Sequence, residues 1–175
     1  DERFEEVLGE AIEAELVEDA VIAKSSSEYH GLWGIRDDVE QLMHLKPLFV
    51  FDVSLPISAM AGYVEGMRAK LSERWPDSKL VVFGHMGDGN LHVTVSAGEA
   101  NAETRKAVEQ IVYSPLAEVG GSVSAEHGIG LEKKPYLHLS RGPQEIEMMR
   151  ILKRALDPKG LLNPGKLIDV ESGAG

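Results

Sequence analysis

The segment from residue 79 to 97 places the tightest constraint on how this chain folds. KLVVFGH, residues 79–85, is a β-branched and aromatic run, and LHVTVSA, residues 91–97, alternates apolar and polar residues. The intervening MGDGN is rich in glycine, so the pair is predicted to form a β-hairpin with a short glycine-rich loop. The hairpin would bring His85 and His92 together across the mouth of the loop.

The periodicities on either side of the hairpin predict an α+β fold. An alternating, apolar strand pattern around FVFDV is followed by a helical pattern at 56–74, and a second helical pattern at 102–119 precedes the strand-like SVSAE at 122–126. The order from 48 to 126 is therefore β, α, β, β, α, β. This order is the ferredoxin-like arrangement, an antiparallel sheet with helices on one face.

Helices are also predicted outside this core. The first has a stripe from Phe4 to Ile12 at helical spacing, which predicts one buried face. The second begins at a capping box formed by Ser25 and Glu28 and runs to about residue 43 with an apolar face. A last helix is predicted over residues 143–156, and the prolines and glycines after it predict an irregular tail over 157–175.

Composition narrows the class of function. The chain has 18 Lys and Arg against 29 Asp and Glu, a formal net charge of −11, and such an acidic surface argues against a nucleic-acid partner. Cysteine is absent, which excludes disulfides, thiolate nucleophiles and cysteine zinc sites. No apolar run reaches the ~18 residues of a membrane span, and the N-terminus is acidic, so a cytoplasmic protein without a transmembrane segment is predicted.

The two histidines of the hairpin are candidate ligands for zinc or a similar divalent ion. SAEHG offers a third ligand, and because adjacent residues of an extended strand point to opposite sides, only one of Glu126 and His127 is expected to ligate. Glu126 is assigned as the ligand, and His127 as a base. The competing interpretation is that His85 and His92 are ordinary polar residues of a turn. A phosphate-binding loop is disfavoured because the segment lacks the Lys and Ser or Thr of a P-loop and precedes a strand.

Three motifs in order, FGHMGDGNLHV, GGSVSAEHGIGLEKK and LDPKGLLNPGKL, resemble the C-terminal region of FAD-linked oxidases. These are flavin-dependent D-2-hydroxyacid dehydrogenases such as D-lactate dehydrogenase, the glycolate oxidase flavin subunit and D-2-hydroxyglutarate dehydrogenase. LWGIRDDVEQL and FDVSLPI fit the same family, so the resemblance covers nearly the whole chain, residues 1–175.

The resemblance implies roles for individual residues. His85, His92 and Glu126 match the metal ligands of the metal-dependent members, and His127 matches the proposed base. Arg36, on the LWxxR helix, matches the arginine that binds the substrate carboxylate. Asn163, in NPGK, matches an asparagine near the flavin. The implied cofactors are FAD and a divalent metal, with zinc expected.

The resemblance also implies partners. The substrate is expected to be a small 2-hydroxy acid, and the electron acceptor to be a quinone or an electron-transfer flavoprotein. A homodimer is compatible with this family, and a full-length protein peripheral to the membrane is compatible with it too.

Two departures from the family pattern affect these expectations. Dicarboxylate-using members carry a basic residue where this chain has Val50 and a threonine where it has Glu40, so a monocarboxylate such as D-lactate or glycolate is the expected substrate. The N-terminal FAD-binding domain is missing from the sequence, so the chain is expected to be a fragment that is inactive alone. The alternative from another class is a stand-alone metal- or ligand-binding module without flavin chemistry.

Overall fold

Residues 2–170 of the chain are described by a computed structural model. These residues divide into two units, one that ends at Gln41 and one that begins at Leu42. The first unit is helical, and the second contains the sheet. The α+β class predicted from the sequence is confirmed.

The N-terminal unit contains helix α1, Glu2–Glu13, and helix α2, Ser26–Asp37. The predicted cap of α2 is confirmed, because the Ser25 hydroxyl accepts a hydrogen bond from the N–H of Glu28 at 3.2 Å. The Glu28 carboxylate accepts from the N–H of Lys24 at 2.7 Å, one residue before the position that a capping box uses. A 3₁₀ helix, Val39–His44, replaces the last turns of the predicted second helix.

The apolar stripe of α1 is not buried, contrary to the prediction from its periodicity, and the apolar face of α2 is not buried either. Neither helix contains a buried residue, and Phe4 and Ile35 are 56% and 78% exposed. The physical reason is size, because about forty residues are too few to enclose a hydrophobic core by themselves.

The second unit has its sheet at the centre. Strands β1, Phe49–Ser54, β2, Lys79–His85, and β3, Asn90–Ser96, form an antiparallel sheet in the order β1-β3-β2 within the described residues. The predicted hairpin is confirmed, since β2 and β3 pair directly with His85 opposite Asn90. Its loop is a 3₁₀ turn over Met86–Asp88, followed by Gly89 in the left-handed conformation.

One face of the sheet packs against two helices, α3, Ile57–Arg74, and α4, Ala102–Tyr113. The ring of Phe51 lies 5.4 Å from that of Tyr113, and the Tyr63 hydroxyl donates a hydrogen bond to the carbonyl of Val112 at 2.7 Å, which joins α3 to α4. The sheet and these helices share one buried core, which includes Phe49, Phe51, Val53, Met67, Leu71, Val93, Val95, Val108 and Leu116. The helices thus cover one face, and the other face is available for a site.

The predicted fourth strand is wrong in extent. Ser122 forms a two-way antiparallel bridge with Ser54 at the free edge of β1, with N–H to O distances of 2.7 and 3.0 Å, and pairing ends there. From Val123 to His127 every backbone N–H is bonded to a side-chain oxygen instead of to a strand. The segment occupies the place of the fourth ferredoxin-like strand, but side chains satisfy its N–H groups.

Helix α5, Pro143–Leu156, has the predicted bounds and is followed by the predicted irregular tail. Asp157 organises the start of this tail: its carboxylate accepts from the N–H groups of Leu161 and Leu162, both at 2.9 Å, and from Lys153 at 2.6 Å. The last five residues of the predicted tail, 171–175, lie outside the described range. Among the described helices, none is both long and apolar enough to cross a membrane.

Candidate metal centre

The open face of the sheet carries the two hairpin histidines. The register places Asp52, His92 and Phe83 side by side on β1, β3 and β2. Alternation along β2 then puts His85 on the same face as Phe83. The imidazole rings of His85 and His92 lie 5.8 Å apart, centre to centre, in an edge-to-face arrangement. The hairpin therefore brings the side chains of His85 and His92 together, as its sequence predicts.

Glu126 completes a cluster with these histidines. Its Oε1 lies 3.3 Å from Nε2 of His92, and the nearest donor atoms of His85, His92 and Glu126 all lie within 4.8 Å of one another. Two imidazole nitrogens and one carboxylate oxygen are a donor set suited to zinc or a similar divalent ion. The structure thus brings together the three residues predicted to be ligands.

His92 is suited to act as a neutral ligand. Its side chain is only 15% exposed, and this burial lowers its pKa. The negative charge of Glu126 acts in the opposite direction, while His127 and His85 reinforce the lowering. An imidazole with a lowered pKa keeps its lone pair free at neutral pH, and a metal must compete with fewer protons for it.

A buried carboxylate that the sequence analysis did not single out lies behind the cluster. Asp52, in the middle of β1, is completely buried. Its Oδ2 accepts hydrogen bonds from the N–H groups of Ala125, Glu126 and His127 at 2.9, 2.8 and 3.0 Å. One carboxylate oxygen therefore holds the backbone that carries both the predicted ligand and the predicted base.

Lys133 neutralises this buried carboxylate. Its ammonium group forms an ion pair with Oδ1 of Asp52 and donates to the Ser124 hydroxyl at 2.9 Å, and the lysine is only 9% exposed. Burial by itself would raise the pKa of Asp52. Hydrogen bonds from the His127 N–H, the Lys133 ammonium and the Glu126 N–H outweigh that effect and lower the pKa of Asp52 to about 2.

This lowered pKa predicts an acid-dependent loss of stability. Because the unfolded chain binds the proton more tightly, the stabilisation is complete above about pH 5 and disappears as the pH falls toward about 2. A decrease from 3.8 to about 2 corresponds to about 2 kcal/mol in the free energy of unfolding. Urea unfolding of wild type and Asp52→Asn across this range should show the extra pH dependence only in wild type. The exposed Asp77→Asn serves as a control for charge removal, and parallel curves for wild type and Asp52→Asn would contradict the assignment.

His127 lies beside the cluster and is accessible. Its side chain is 60% exposed, and its ring stacks on that of His92 with centres 6.0 Å apart. The Nδ1 atom lies 3.2 Å from Oδ1 of Asp52, and Nε2 lies 3.9 Å from Oε1 of Glu126. The ring thus has one nitrogen next to a buried carboxylate and the other near the ligand cluster.

The two remaining predicted site residues lie in other parts of the chain. Arg36 belongs to the N-terminal unit, on α2, where its guanidinium contacts the Asp37 carboxylate at 3.0 Å. Asn163 lies in the tail after α5 with a φ of 46°, and it lines an apolar groove of about 690 Å³ that includes Leu152 and Leu162. The cluster residues are not among those described as lining this groove. The roles of Arg36 in substrate binding and of Asn163 in flavin binding stay predictions.

Comparison with known sequences matches residues 1–167 to the family described as FAD linked oxidases, C-terminal domain. The similar proteins include the D-2-hydroxyglutarate dehydrogenase of Xanthomonas citri pv. viticola, 40% identical over 158 residues, which are 87% of this chain and 34% of that protein. The mitochondrial D-2-hydroxyglutarate dehydrogenase of Rattus norvegicus is 40% identical over 169 residues, 95% of this chain and 31% of the relative. The mitochondrial D-2-hydroxyglutarate dehydrogenase of Arabidopsis thaliana is 35% identical over 168 residues, which are 95% of this chain and 30% of that protein. The chain spans about a third of the length of these relatives.

Proposed function

The chain belongs to the family of FAD linked oxidases, C-terminal domain, and we propose that it forms the substrate- and metal-binding part of a flavin-dependent dehydrogenase that oxidises a D-2-hydroxy acid. The observation that carries this proposal is the convergence of His85, His92 and Glu126 within 4.8 Å beside the accessible His127. A divalent cation and a general base suit the oxidation of a hydroxyl group next to a carboxylate, because the cation lowers the pKa of the hydroxyl group and the base accepts its proton.

The residues of the cluster fit a divalent cation. The lowered pKa of His92 supplies a neutral imidazole, and the exposed Glu126 supplies a negative charge. Together with His85 they would supply three ligands, the number that the protein contributes in catalytic zinc sites. A metal bound there supplies Lewis acidity toward the substrate hydroxyl and carboxylate oxygens.

His127 is the proposed base of the reaction. The hydroxyl proton of the substrate passes to Nε2 of His127, and the electron pair of the C2–H bond leaves with its hydrogen as a hydride, so that the alcohol becomes a 2-oxo group. FAD, when bound, is the hydride acceptor. Arg36 is proposed to bind the C1 carboxylate and Asn163 to lie near the flavin. Reoxidation of the reduced flavin is assigned to a quinone or an electron-transfer flavoprotein.

The relatives favour D-2-hydroxyglutarate as the substrate. All three relatives compared above are named D-2-hydroxyglutarate dehydrogenase, and two of them are 40% identical to this chain. Oxidation of this substrate would need a cation for the distal carboxylate. Position 50, where dicarboxylate-using members of the family carry a basic residue, is Val50 in this chain.

Val50 is the observation that favours the second candidate, a monocarboxylate such as D-lactate. Its side chain is 59% exposed, and alternation along β1 puts it on the same face as Asp52, where an apolar group offers a carboxylate no charge. A substrate with a methyl group or hydrogen in place of the chain that bears the distal carboxylate needs no cation at position 50. The two candidates therefore differ at a residue that can be changed.

Introducing a cation at position 50 should favour the dicarboxylate. In the full-length flavoprotein, Val50→Lys is expected to raise the ratio of kcat/KM for D-2-hydroxyglutarate over D-lactate by about tenfold or more, because a charge-assisted hydrogen bond contributes about 1.5–3 kcal/mol. Ala69→Lys adds the same charge at an exposed position of α3 and should leave the ratio unchanged. An unchanged ratio in Val50→Lys would place the distal carboxylate elsewhere.

The proposed function itself is tested by flavin reduction. Mixing the full-length flavoprotein anaerobically with each acid should bleach the oxidised flavin, and removal of bound metal with a chelator should slow this step by at least about 10²-fold, with recovery on adding Zn²⁺ or Co²⁺. Metal binding without flavin reduction by any 2-hydroxy acid would support the stand-alone metal-binding module instead.

A further inference from the structure

The most unusual group in the second unit is the Asp52 carboxylate, which the steps above do not use. A carboxylate in the middle of an apolar strand, completely buried, is costly unless its charge is fully compensated. The groups that compensate the charge of Asp52 are Lys133, Ser124 and the backbone N–H groups of residues 125–127. They lie on the open face of the sheet, which carries the cluster. This arrangement ties the buried charge to the site.

The two oxygens of this carboxylate have different tasks. Oδ2 accepts the N–H groups of three consecutive residues and so fixes the path of the chain at Glu126 and His127. Oδ1 faces the side chains, with the Lys133 ammonium on it and Nδ1 of His127 at 3.2 Å. Asp52 is also the direct cross-strand neighbour of His92. A single side chain thus contacts the base and adjoins two of the clustered residues.

We propose that Asp52 is the positioning residue of the site, whose Oδ1 keeps the proton of His127 on Nδ1 and so presents the lone pair of Nε2 to the substrate. The proposal rests on the function proposed above for His127. A neutral imidazole has one N–H and one lone pair, and a carboxylate beside one nitrogen accepts only from an N–H there. The nitrogen left free, Nε2, is the one on the side of Glu126.

A structural role alone would predict a different pattern of effects. If Asp52 only held the turn, any replacement that keeps the turn would keep the activity. Asn is nearly isosteric, and its amide oxygen can still accept the three N–H groups that Oδ2 accepts. Its NH₂ group would then stand where Oδ1 faces Nδ1 of His127, and a donor there favours a lone pair on Nδ1 and the proton on Nε2. Asp52→Asn therefore keeps an acceptor for the turn and removes the acceptor that faces His127 and Lys133.

The first test is spectroscopic and needs neither metal nor turnover. In the full-length flavoprotein labelled with ¹⁵N-histidine, at mildly alkaline pH, the ring nitrogens of His127 are assigned by comparison with His127→Gln. Wild type is expected to show a protonated Nδ1 and an unprotonated Nε2, and Asp52→Asn the reverse. A wild-type ring with its proton on Nε2 overturns the proposal, and this result does not depend on whether Asp52→Asn folds.

The second test is kinetic. Asp52→Asn is expected to lower kcat by about 10²- to 10⁴-fold with little change in KM, as loss of an orienting carboxylate does elsewhere. Calorimetric titration with Zn²⁺ should show an affinity within a few-fold of wild type. Ser124→Ala removes a hydroxyl that contacts Asp52 and Lys133 but leaves Oδ1 and Nδ1 of His127 in place, and it should retain most of the activity.

The outcomes separate this proposal from the proposed function. If wild type oxidises no 2-hydroxy acid, the proposed function fails while the ring protonation still decides whether Asp52 positions His127. If wild type is active but Asp52→Asn keeps both its kcat and the proton on Nδ1, the positioning role is overturned and the reaction stands. Equal losses of kcat in Asp52→Asn and Ser124→Ala would also overturn it, because Ser124→Ala retains the carboxylate that faces Nδ1 of His127.

Discussion

Replacing His85 and His92 together by alanine is expected to abolish tight binding of Zn²⁺. Structural zinc sites with four ligands have apparent binding free energies of about 10–16 kcal/mol, or about 3 kcal/mol for each ligand, so that losing two should weaken binding by roughly 10⁴-fold. The remaining carboxylate, Glu126, is 48% exposed and binds a divalent ion only weakly by itself. Elemental analysis of the purified proteins and calorimetric titration with Zn²⁺ measure the difference.

The matched control removes two imidazoles that do not belong to the cluster. His44 and His138 are both exposed, and the double variant His44→Ala, His138→Ala should bind Zn²⁺ as wild type does. Equal metal content in the two double variants would show that the convergence of the hairpin histidines is not what binds the ion. Equal loss in both would indicate scattered surface binding instead of one site.

The hairpin shows why part of the site could be predicted from the sequence. A period-two pattern fixes which residues share a face, and a short glycine-rich loop fixes the register, so the convergence of His85 and His92 follows from local sequence alone. The bounds of some elements also follow from local sequence, because β2 and α5 begin and end where their patterns predict. Glu126 could be added because a third ligand had few other sources in the motif.

Asp52 shows why the rest could not be predicted. Its partners, from Ser124 to Lys133, lie 72 to 81 residues further along the chain, and no local pattern reports a contact of that kind. The signal that was available is the single acidic residue inside the apolar run FVFDV, because a charge in an otherwise apolar strand requires a partner. The same contacts explain the error in the fourth strand. SVSAE has strand periodicity, but beyond Ser122 its backbone N–H groups donate to side-chain oxygens, including the Asp52 carboxylate, and not to the carbonyl groups of a neighbouring strand.

The N-terminal helices show a different limit. Periodicity identified both helices but predicted that the apolar stripe of α1 is buried, and the structure contains no buried residue in either helix. A stripe reports which face of a helix can be buried, and burial also requires a partner surface of sufficient size.

Gly84 is the position where a single methyl group should do the most damage to the hairpin. Its φ is 150°, and a Cβ built on it would lie 2.5 Å from the backbone carbonyl oxygen of Asn90 in the neighbouring strand. Because that oxygen belongs to the sheet and cannot rotate away, β2 and β3 would have to move apart. The strained backbone alone costs about 1–3 kcal/mol, and with the steric conflict Gly84→Ala is expected to lower the free energy of unfolding by about 3 kcal/mol or more.

Gly87, three residues further along in the loop of the hairpin, provides the matched control. A Cβ there would meet no atom within 4 Å, so Gly87→Ala should change the free energy of unfolding by less than about 1 kcal/mol, with a gain expected from the stiffer unfolded chain. Urea unfolding measures both variants. Gly84→Ala should also weaken Zn²⁺ binding, because any shift of β2 moves the adjacent His85 away from His92, whereas Gly87→Ala should bind as wild type does. Equal stability of the two variants would show that the close approach of β2 and β3 does not require glycine at position 84.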